Sequence, residues 1–456
     1  MRNSLRLVAA AGLALGLLAT GGVLLRPDTA ATVGYVSTVD NIAAARERLT
    51  RLPGDWVAWA GLGLAYVQRA RITGDPSSYP RAEEALRRSL AVRPDGNAAA
   101  HTGLGALAAA RHDFTGALRE GQTAVAADAF SAAAHGVVFD ALVELGRYDE
   151  AAAAVQRMVD LRPDTGSYAR ASYLFELRGA VVPARDAMVL ALESAPNRED
   201  VAFAHQHLGQ LAYDAGDLVT AQSHVDEGLL AVPEHPPLRA LQARIRAARG
   251  DLTGAVADLR AVVLKLPLPE YAVALADLLT VLGDTSGAEA QHELVRANAT
   301  LLSAAGVAVD LDLAVYSADR ALLDGVPLGP STVDAARAAH ATRPSVVSTD
   351  ALAWTLHGAG RSAEALSYAD AALRLGTRSA IFYYHRGMIR LATGDRAGAR
   401  ADLAEALRLN PYFSLRHVPI ARAALTDPSR AGAAATPPAR GADHRARTAI
   451  NSVRAG

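Results

Sequence analysis

Residues 146–164 begin Gly146-Arg147-Tyr148-Asp149-Glu150-Ala151 and end Leu161-Arg162-Pro163-Asp164, and this stretch decides the fold. The part of the pattern that precedes it is clearest in Trp59-x-x-Leu62-Gly63-x-x-Tyr66. Variants of both halves return along the chain about every 34 residues, with apolar residues at helical spacing inside each half. A fixed period of this length indicates a solenoid of stacked helix–turn–helix units.

Proline and glycine mark the boundaries of the repeating unit. A proline cannot continue a helix, so it is used where the second helix of one unit ends and the next unit begins. The closing prolines are Pro94, Pro163, Pro196, Pro233, Pro267, Pro344 and Pro411. A glycine in the turn between the two helices tolerates a left-handed backbone at a helix C-terminus. The turn glycines are Gly146, Gly179, Gly216, Gly250, Gly283, Gly360 and Gly394.

Small residues recur in the same register and predict where the paired helices cross closely. A bulky side chain early in the second helix would push the two helices apart. The alanines at this position are Ala117, Ala151, Ala184, Ala221, Ala255, Ala288, Ala365 and Ala399. Gly63, Gly105, Gly209 and Gly387 occupy the matching small position of the first helix.

This combination of motifs resembles the tetratricopeptide repeat family, whose pattern is W-x-x-L-G-x-x-Y followed by A, F, A and P. The resemblance covers roughly residues 50–412. It implies an all-α fold, an α-solenoid in which the helix–turn–helix units wind into a right-handed superhelix. It also implies a concave surface, built from the first helix of each unit, that binds an extended peptide or another protein.

Mapping that concave surface by register gives a set of aromatic and polar side chains that are candidates for contact with a partner. Tyrosine and tryptophan combine a large contact area with a polar group, which suits them to recognition. The candidates are Tyr173, Glu176, Gln206, Gln210, Tyr213, Arg244, Asp277, Trp354, His357, Tyr384 and Met388.

The composition excludes several other function classes. The net charge is −1 and no basic cluster occurs in the repeats, so the electrostatic signature of nucleic-acid binding is missing. There is no cysteine, which excludes disulfides, thiol catalysis and cysteine-ligated zinc. The chain has no G-x-S-x-G, G-x-x-x-x-G-K-[ST] or H-E-x-x-H motif. We therefore predict a protein that is not an enzyme, with no catalytic residue and no cofactor.

The histidines suggest a metal site, but their spacing does not support one. His205 and His207 are two residues apart and would point about 200° apart on a helix, whereas a metal pair needs one face and a carboxylate. The repeat position of His205 is also occupied by His101 and His135, which favours a packing role. We predict no metal site. A metal-handling or transport-accessory function that uses the histidines stays the alternative.

The first residues differ from the repeats. Arg2 and Arg6 precede an uncharged run from Leu7 to Leu25, which as a helix would span roughly 28 Å, close to the thickness of the bilayer core. The flanking charges favour an N-terminus inside and the repeats outside the cytoplasm. We expect residues 1–28 to be a single membrane anchor or a signal peptide that is removed on secretion.

The remaining boundaries follow from where the pattern weakens. We predict a large block of units over residues 50–304, an irregular linking unit over 305–344, and further units with a capping helix over 345–425. Residues 426–456 are rich in Ala, Pro, Gly and Arg and are predicted to be a disordered tail. The function that fits is a non-catalytic scaffold or adaptor that binds an unknown protein or peptide partner at a bacterial envelope.

Overall fold

The computed structural model describes residues 38–308 and 310–426, and these residues form twenty-two α-helices and no β-strand. The prediction of an all-α solenoid is confirmed. The predicted N-terminal anchor or signal segment, residues 1–28, and the predicted tail beyond residue 426 lie outside the described residues. None of the helices in the described ranges has the length and apolar character needed to cross a membrane.

Ten helix pairs follow one another in the described residues, with one helix before them, α1 (Thr38–Arg51). The first helices of the pairs are α2 (Trp56–Thr73), α4 (Ala98–Ala110), α6 (Ala132–Glu144), α8 (Thr165–Leu177), α10 (Arg198–Asp214), α12 (Pro236–Ala248), α14 (Pro269–Val281), α16 (Asp310–Asp324), α18 (Val346–Gly358) and α20 (Ala380–Thr393). The second helices are α3 (Ser78–Val92), α5 (Phe114–Ala127), α7 (Tyr148–Leu161), α9 (Val181–Glu193), α11 (Leu218–Ala231), α13 (Leu252–Lys265), α15 (Thr285–Ala304), α17 (Pro330–Thr342), α19 (Ser362–Ala372) and α21 (Arg396–Leu409). A last helix, α22 (His417–Thr426), follows the pairs.

The turns inside the units have the backbone that the sequence predicts. All seven turn glycines have positive φ angles, between +67° and +91°. In four of these turns the next residue is an aspartate whose side chain accepts a backbone N–H at the start of the second helix, which satisfies a group that the helix itself leaves unpaired. These aspartates are Asp217, Asp251, Asp284 and Asp395.

The predicted register of small residues is also found in the packing. All eight of the predicted alanines in the second helices are buried, with at most 5% of their surface exposed. A Cβ added at Gly63 would lie 2.5 Å from Leu86 Cγ, and one at Gly105 would lie 2.6 Å from Val137 Cγ1. Both distances are far below an ordinary contact, so the helices cross as closely as glycine allows.

The superhelix turns back onto itself, so that later units contact earlier ones. His112 Nδ1 donates to the carbonyl oxygen of Ala308 at 2.7 Å, and Tyr213 Oη donates to that of Tyr412 at 2.8 Å. The paired residues are 196 and 199 positions apart, which corresponds to roughly six units of about 34 residues for each turn of the superhelix. We call this contact between successive turns the seam.

The centre of the seam lies between the turn after α6 and the segment that precedes α18. Arg343 Nε donates to Glu144 Oε2 at 2.7 Å, and the Val346 N–H donates to Tyr148 Oη at 2.8 Å. Burial raises the pKa of Tyr148 to about 12. The phenol is therefore neutral at physiological pH. Two polar contacts within five residues of Gly146 thus hold the second turn on the first.

The irregular parts of the sequence form helices that complete the solenoid. Residues 305–344 contain α16 and α17, and α16 packs on α18. The predicted capping helix near Pro419–Leu425 corresponds to α22, which packs on α21. The helix α1, which packs on α2, was not predicted from the repeat pattern. The domain boundaries themselves stay predictions.

Candidate binding site: the central cavity

The first helices of both superhelical turns surround a central cavity of about 780 Å³. This volume falls in the range of roughly 300–1,000 Å³ that is typical of ligand pockets. Much of the wall is apolar, with aromatic rings from several units. The rings are those of Tyr79, Phe114, Phe139, Tyr173, Phe203 and Tyr316. The cavity therefore offers apolar contact area along an elongated ligand.

Two buried ion pairs lie in the wall. Arg170 makes a bidentate pair with Asp140, in which Nε donates to Oδ1 and Nη2 to Oδ2, both at 2.9 Å. Burial raises the pKa of Asp140, although the Arg170 guanidinium opposes the shift. Arg343, paired with Glu144 in the seam, also faces the cavity. Burial lowers the pKa of Arg343, but the nearby carboxylates of Glu144 and Asp312 together outweigh this effect and the net shift is upward. Both guanidinium groups are thus neutralised by their own partners.

The wall also has carboxyl groups without such partners. Seven carboxyl groups and three guanidinium groups line the cavity. Among the described residues, Glu176 and Glu270 form no ion pair and no hydrogen bond to another side chain, whereas Asp312 is exposed and its charge acts on Arg343. Burial raises the pKa of Glu176 well above its usual range, with Asp214 contributing. Burial also raises the pKa of Glu270 to about 7, with the Asp312 carboxylate contributing. The cavity wall therefore has more acidic than basic groups.

Two of the predicted partner-binding residues lie on this wall. Tyr173 and Glu176 project from α8 into the cavity, as expected from the register of the first helices. Burial raises the pKa of Tyr173 well above its usual range, so its hydroxyl is a neutral hydrogen-bonding group. These two side chains can reach a ligand in the cavity, although contact with a partner stays a prediction.

A second group of predicted residues links neighbouring units. Arg244 Nη1 donates to Gln210 Oε1 at 2.8 Å, and its guanidinium carbon lies 4.3 Å from the ring centroid of Tyr213. Gln206 is buried on the same helix, α10. Asp277 accepts from Arg416 at 3.3 Å. The structure places Gln210, Tyr213, Arg244 and Asp277 in contacts between units, whereas Gln206 is buried within its helix packing.

The last group lies in the helix-packing core and not on the cavity wall. Trp354, His357, Tyr384 and Met388 are at most 2% exposed. The physical reason is that α18 is enclosed by neighbouring helices: the Trp354 ring stacks on His385 at 4.0 Å, and its Nε1 donates to Asp319 Oδ1 of α16 at 2.7 Å. The position of these four side chains thus differs from the expected one, and a role in partner contact stays a prediction.

The comparisons with known proteins identify the repeat. Residues 351–412, which contain α19 to α21 and most of α18, match the family model of the tetratricopeptide repeat. This part of the chain consists of tetratricopeptide repeats. Outside this segment, five consecutive helix pairs of the described residues, from α6–α7 to α14–α15, have the same left-handed turn glycine and the same buried alanine. Repeats of this family generally mediate binding between proteins and are not catalytic. None of the curated proteins matches the chain in sequence.

Several solved structures of tetratricopeptide repeat proteins are similar in fold at low identity. A thermophilic protein of Thermus thermophilus is 17% identical, with 46% of this chain and 98% of that chain covered and a TM-score of 0.35. The type IV pilus biogenesis factor PilW is 16% identical, with 45% and 97% covered and a TM-score of 0.37. YrrB, described as having an unusual peptide-binding site, is 18% identical, with 43% and 96% covered and a TM-score of 0.27.

The register of the tetratricopeptide repeat does not predict most of the charged residues in the cavity. Asp140 and Glu144 lie on α6 one turn apart, and this spacing on a first helix is a signal that sequence analysis could have used. Glu270 and Asp312 lie near the starts of α14 and α16. They enter the cavity from the second superhelical turn, and no pattern within one repeat indicates that position.

Proposed function

We propose that the protein is a non-catalytic scaffold that holds an extended, positively charged segment of another protein in its central cavity. The observation that carries the proposal is the pair of unpartnered carboxyl groups, Glu176 and Glu270, in a wall whose Arg170 and Arg343 are already paired. An arginine or lysine of the partner would form charge-assisted hydrogen bonds with these groups. Its aliphatic stem would lie on the apolar part of the wall.

The raised pKa values support a cationic ligand. Because burial raises their pKa values, Glu176 and Glu270 hold a proton more readily in the free protein than exposed glutamates do, and a cation that enters the cavity favours their charged form. Binding of a cation should therefore release protons to solvent. An anionic or neutral ligand would not favour the charged form of these groups and would release none.

A fluorescence-anisotropy titration tests the proposal with a defined probe. The probe is a fluorescein-labelled peptide of four Arg-Leu repeats, and a peptide of four Glu-Leu repeats is the comparison. We expect saturable binding of the first peptide alone at about pH 7.5 and roughly 0.15 M salt. The double variant Glu176→Gln/Glu270→Gln should weaken binding by at least about tenfold, since a hydrogen bond to a charged group contributes about 1.5–3 kcal/mol.

The matched control removes two carboxylates from the outer surface. Glu84 and Glu293 are exposed on second helices, and Glu84→Gln/Glu293→Gln makes the same two Glu-to-Gln substitutions, with the same formal change in charge, outside the cavity. Equal weakening by both double variants would show a nonspecific charge effect and would overturn the assignment of the cavity. Equal binding of the acidic peptide would overturn the proposed ligand chemistry.

We also propose that the repeats act outside the cytoplasm, at a bacterial envelope, anchored or exported by residues 1–28. The support is the run from Leu7 to Leu25 after Arg2 and Arg6. Alkaline phosphatase fused after residue 426 should be active in a bacterial host, because this reporter folds only outside the cytoplasm. Activity that persists at the same level after deletion of residues 1–28, or no activity in either form, would refute the location.

A further inference from the structure

A second cluster of polar side chains lies away from the cavity, between the two helices of the fifth unit. His205 extends from α10, and His224 and Glu227 extend from α11. His205 Nδ1 lies 3.2 Å from His224 Nδ1, and His205 Nε2 lies 3.5 Å from Glu227 Oε2. One ligating atom from each residue lies within 4.8 Å of the other two. His224 and Glu227 are three residues apart, so they share one face of α11.

The distance between the two imidazole nitrogens matches that of a metal site, and the Glu227 carboxylate lies beside the same pair of rings. Two nitrogens bound to one zinc ion at about 2.0–2.1 Å in tetrahedral geometry are about 3.3 Å apart. The observed 3.2 Å between the two Nδ1 atoms is close to that value, so small rotations of the rings would direct both nitrogens to one ion. Two imidazoles and one carboxylate form a ligand set that zinc accepts while it keeps a fourth position for water.

We propose that His205, His224 and Glu227 bind one zinc ion or a similar divalent transition metal ion. The burial pattern gives the ion access to the cluster: His205 is buried and Glu227 is about half exposed, so an ion can enter from solvent past the carboxylate. A neutral imidazole has a lone pair for a metal, and each histidine offers one such nitrogen to the cluster. The site would tie the two helices of one unit together.

The chain contains its own control for this site. In the second unit His101 takes the place of His205 and Glu120 takes the place of His224, with the same separation of 19 residues. His101 Nδ1 and Glu120 Oε2 lie 2.8 Å apart. The residue in the place of Glu227 is Thr123, whose hydroxyl donates to the carbonyl of Arg119. The second unit thus has a similar pair but no third ligand.

Isothermal titration of the untagged protein with zinc chloride, after removal of metals by a chelator, tests the site. We expect one zinc ion per chain, and we expect the cobalt-loaded protein to show the visible absorption of a tetrahedral ion. His224→Gln and Glu227→Gln should each weaken zinc binding at least about tenfold, whereas His101→Gln should not change it. Glu227 is half exposed, so its variant should fold normally, and circular dichroism checks both variants.

Several results would overturn the proposal. One is the absence of a stoichiometric zinc ion in the parent protein. Another is equal weakening by His101→Gln and His224→Gln, which would indicate adventitious binding to surface histidines. A third is unchanged affinity in the Glu227→Gln variant together with an unchanged cobalt spectrum, which would show that the carboxylate is no ligand.

Discussion

Replacing Gly146 with alanine perturbs the seam at one point, and a second glycine of the same repeat position provides the control. Both Gly146 and Gly283 follow a first helix and have left-handed backbones, with φ of +69° and +81°. They differ in their surroundings. A Cβ on Gly146 would lie 2.6 Å from the carbonyl oxygen of Pro344, whereas a Cβ on Gly283 would have nothing within 4 Å.

The two variants should therefore differ by the contact between the superhelical turns alone. Alanine in a left-handed conformation costs about 1–2 kcal/mol, and this cost applies at both positions. At Gly146 the two turns must also separate by about 0.8 Å before the contact with Pro344 reaches an ordinary 3.4 Å. Overpacking of this kind costs about 1–3 kcal/mol more. We expect Gly146→Ala to lose about 2–5 kcal/mol and Gly283→Ala about 1–2 kcal/mol.

Urea unfolding followed by far-ultraviolet circular dichroism measures the difference between the two variants, and hydrogen exchange locates it. The Val346 amide donates across the seam, so its exchange should accelerate in Gly146→Ala and stay unchanged in Gly283→Ala. The two variants could instead have unfolding free energies equal within about 0.5 kcal/mol and the same hydrogen exchange at Val346. That result would show that the two superhelical turns are not in contact in solution.

Three further predictions concern buried charge. Arg343→Met should destabilise by about 3–5 kcal/mol because it leaves Glu144 buried without a partner, and adding Glu144→Gln in a double-mutant cycle should recover part of the loss. Burial lowers the pKa of His357 to about 3. Below pH 6.5 the unfolded chain therefore binds a proton at this residue that the folded chain does not bind. Urea unfolding should show that the stability advantage of the parent protein over His357→Gln shrinks by about 1.4 kcal/mol for each pH unit from 6.5 toward 4. Affinity for the Arg-Leu peptide should rise between about pH 6 and pH 8, because Glu270, whose pKa is about 7, loses its proton on binding. In the anisotropy assay, Glu270→Gln should flatten this pH dependence. An equal slope in the variant would contradict the role of Glu270 in binding the peptide.

The repeat itself could be predicted because its determinants are local. The left-handed turn at Gly146 and the buried position of Ala151 depend on contacts within one unit, and the same signals recur along the chain. The proposed zinc ligands are also local, since His205 and His224 belong to one helix pair. The one-face spacing rule applied to His205 and His207 does not detect them, because His205 and His224 face each other across a helix pair.

The seam and the cavity could not be predicted in the same way. Small rotations between units add up over about six units before Glu144 meets Arg343, 199 residues later. A small error in each rotation would bring a different helix to that position. The burial of Trp354 has a related cause, because it depends on how closely α16 approaches α18, and α16 lies in the part of the sequence where the pattern is weakest.

The seam and the cavity are linked because residues of both turns form the cavity wall. Glu176 belongs to the first turn and Glu270 to the second, so a cationic peptide that contacts both should stabilise the closed superhelix. By thermodynamic reciprocity, a change that loosens the seam must weaken binding of the peptide. Gly146→Ala should therefore lower the affinity for the Arg-Leu peptide, although the cavity wall does not include Gly146, and Gly283→Ala should leave the affinity unchanged. Anisotropy titrations of the two variants measure this coupling. Equal affinities in both would mean that the peptide binds to one turn alone.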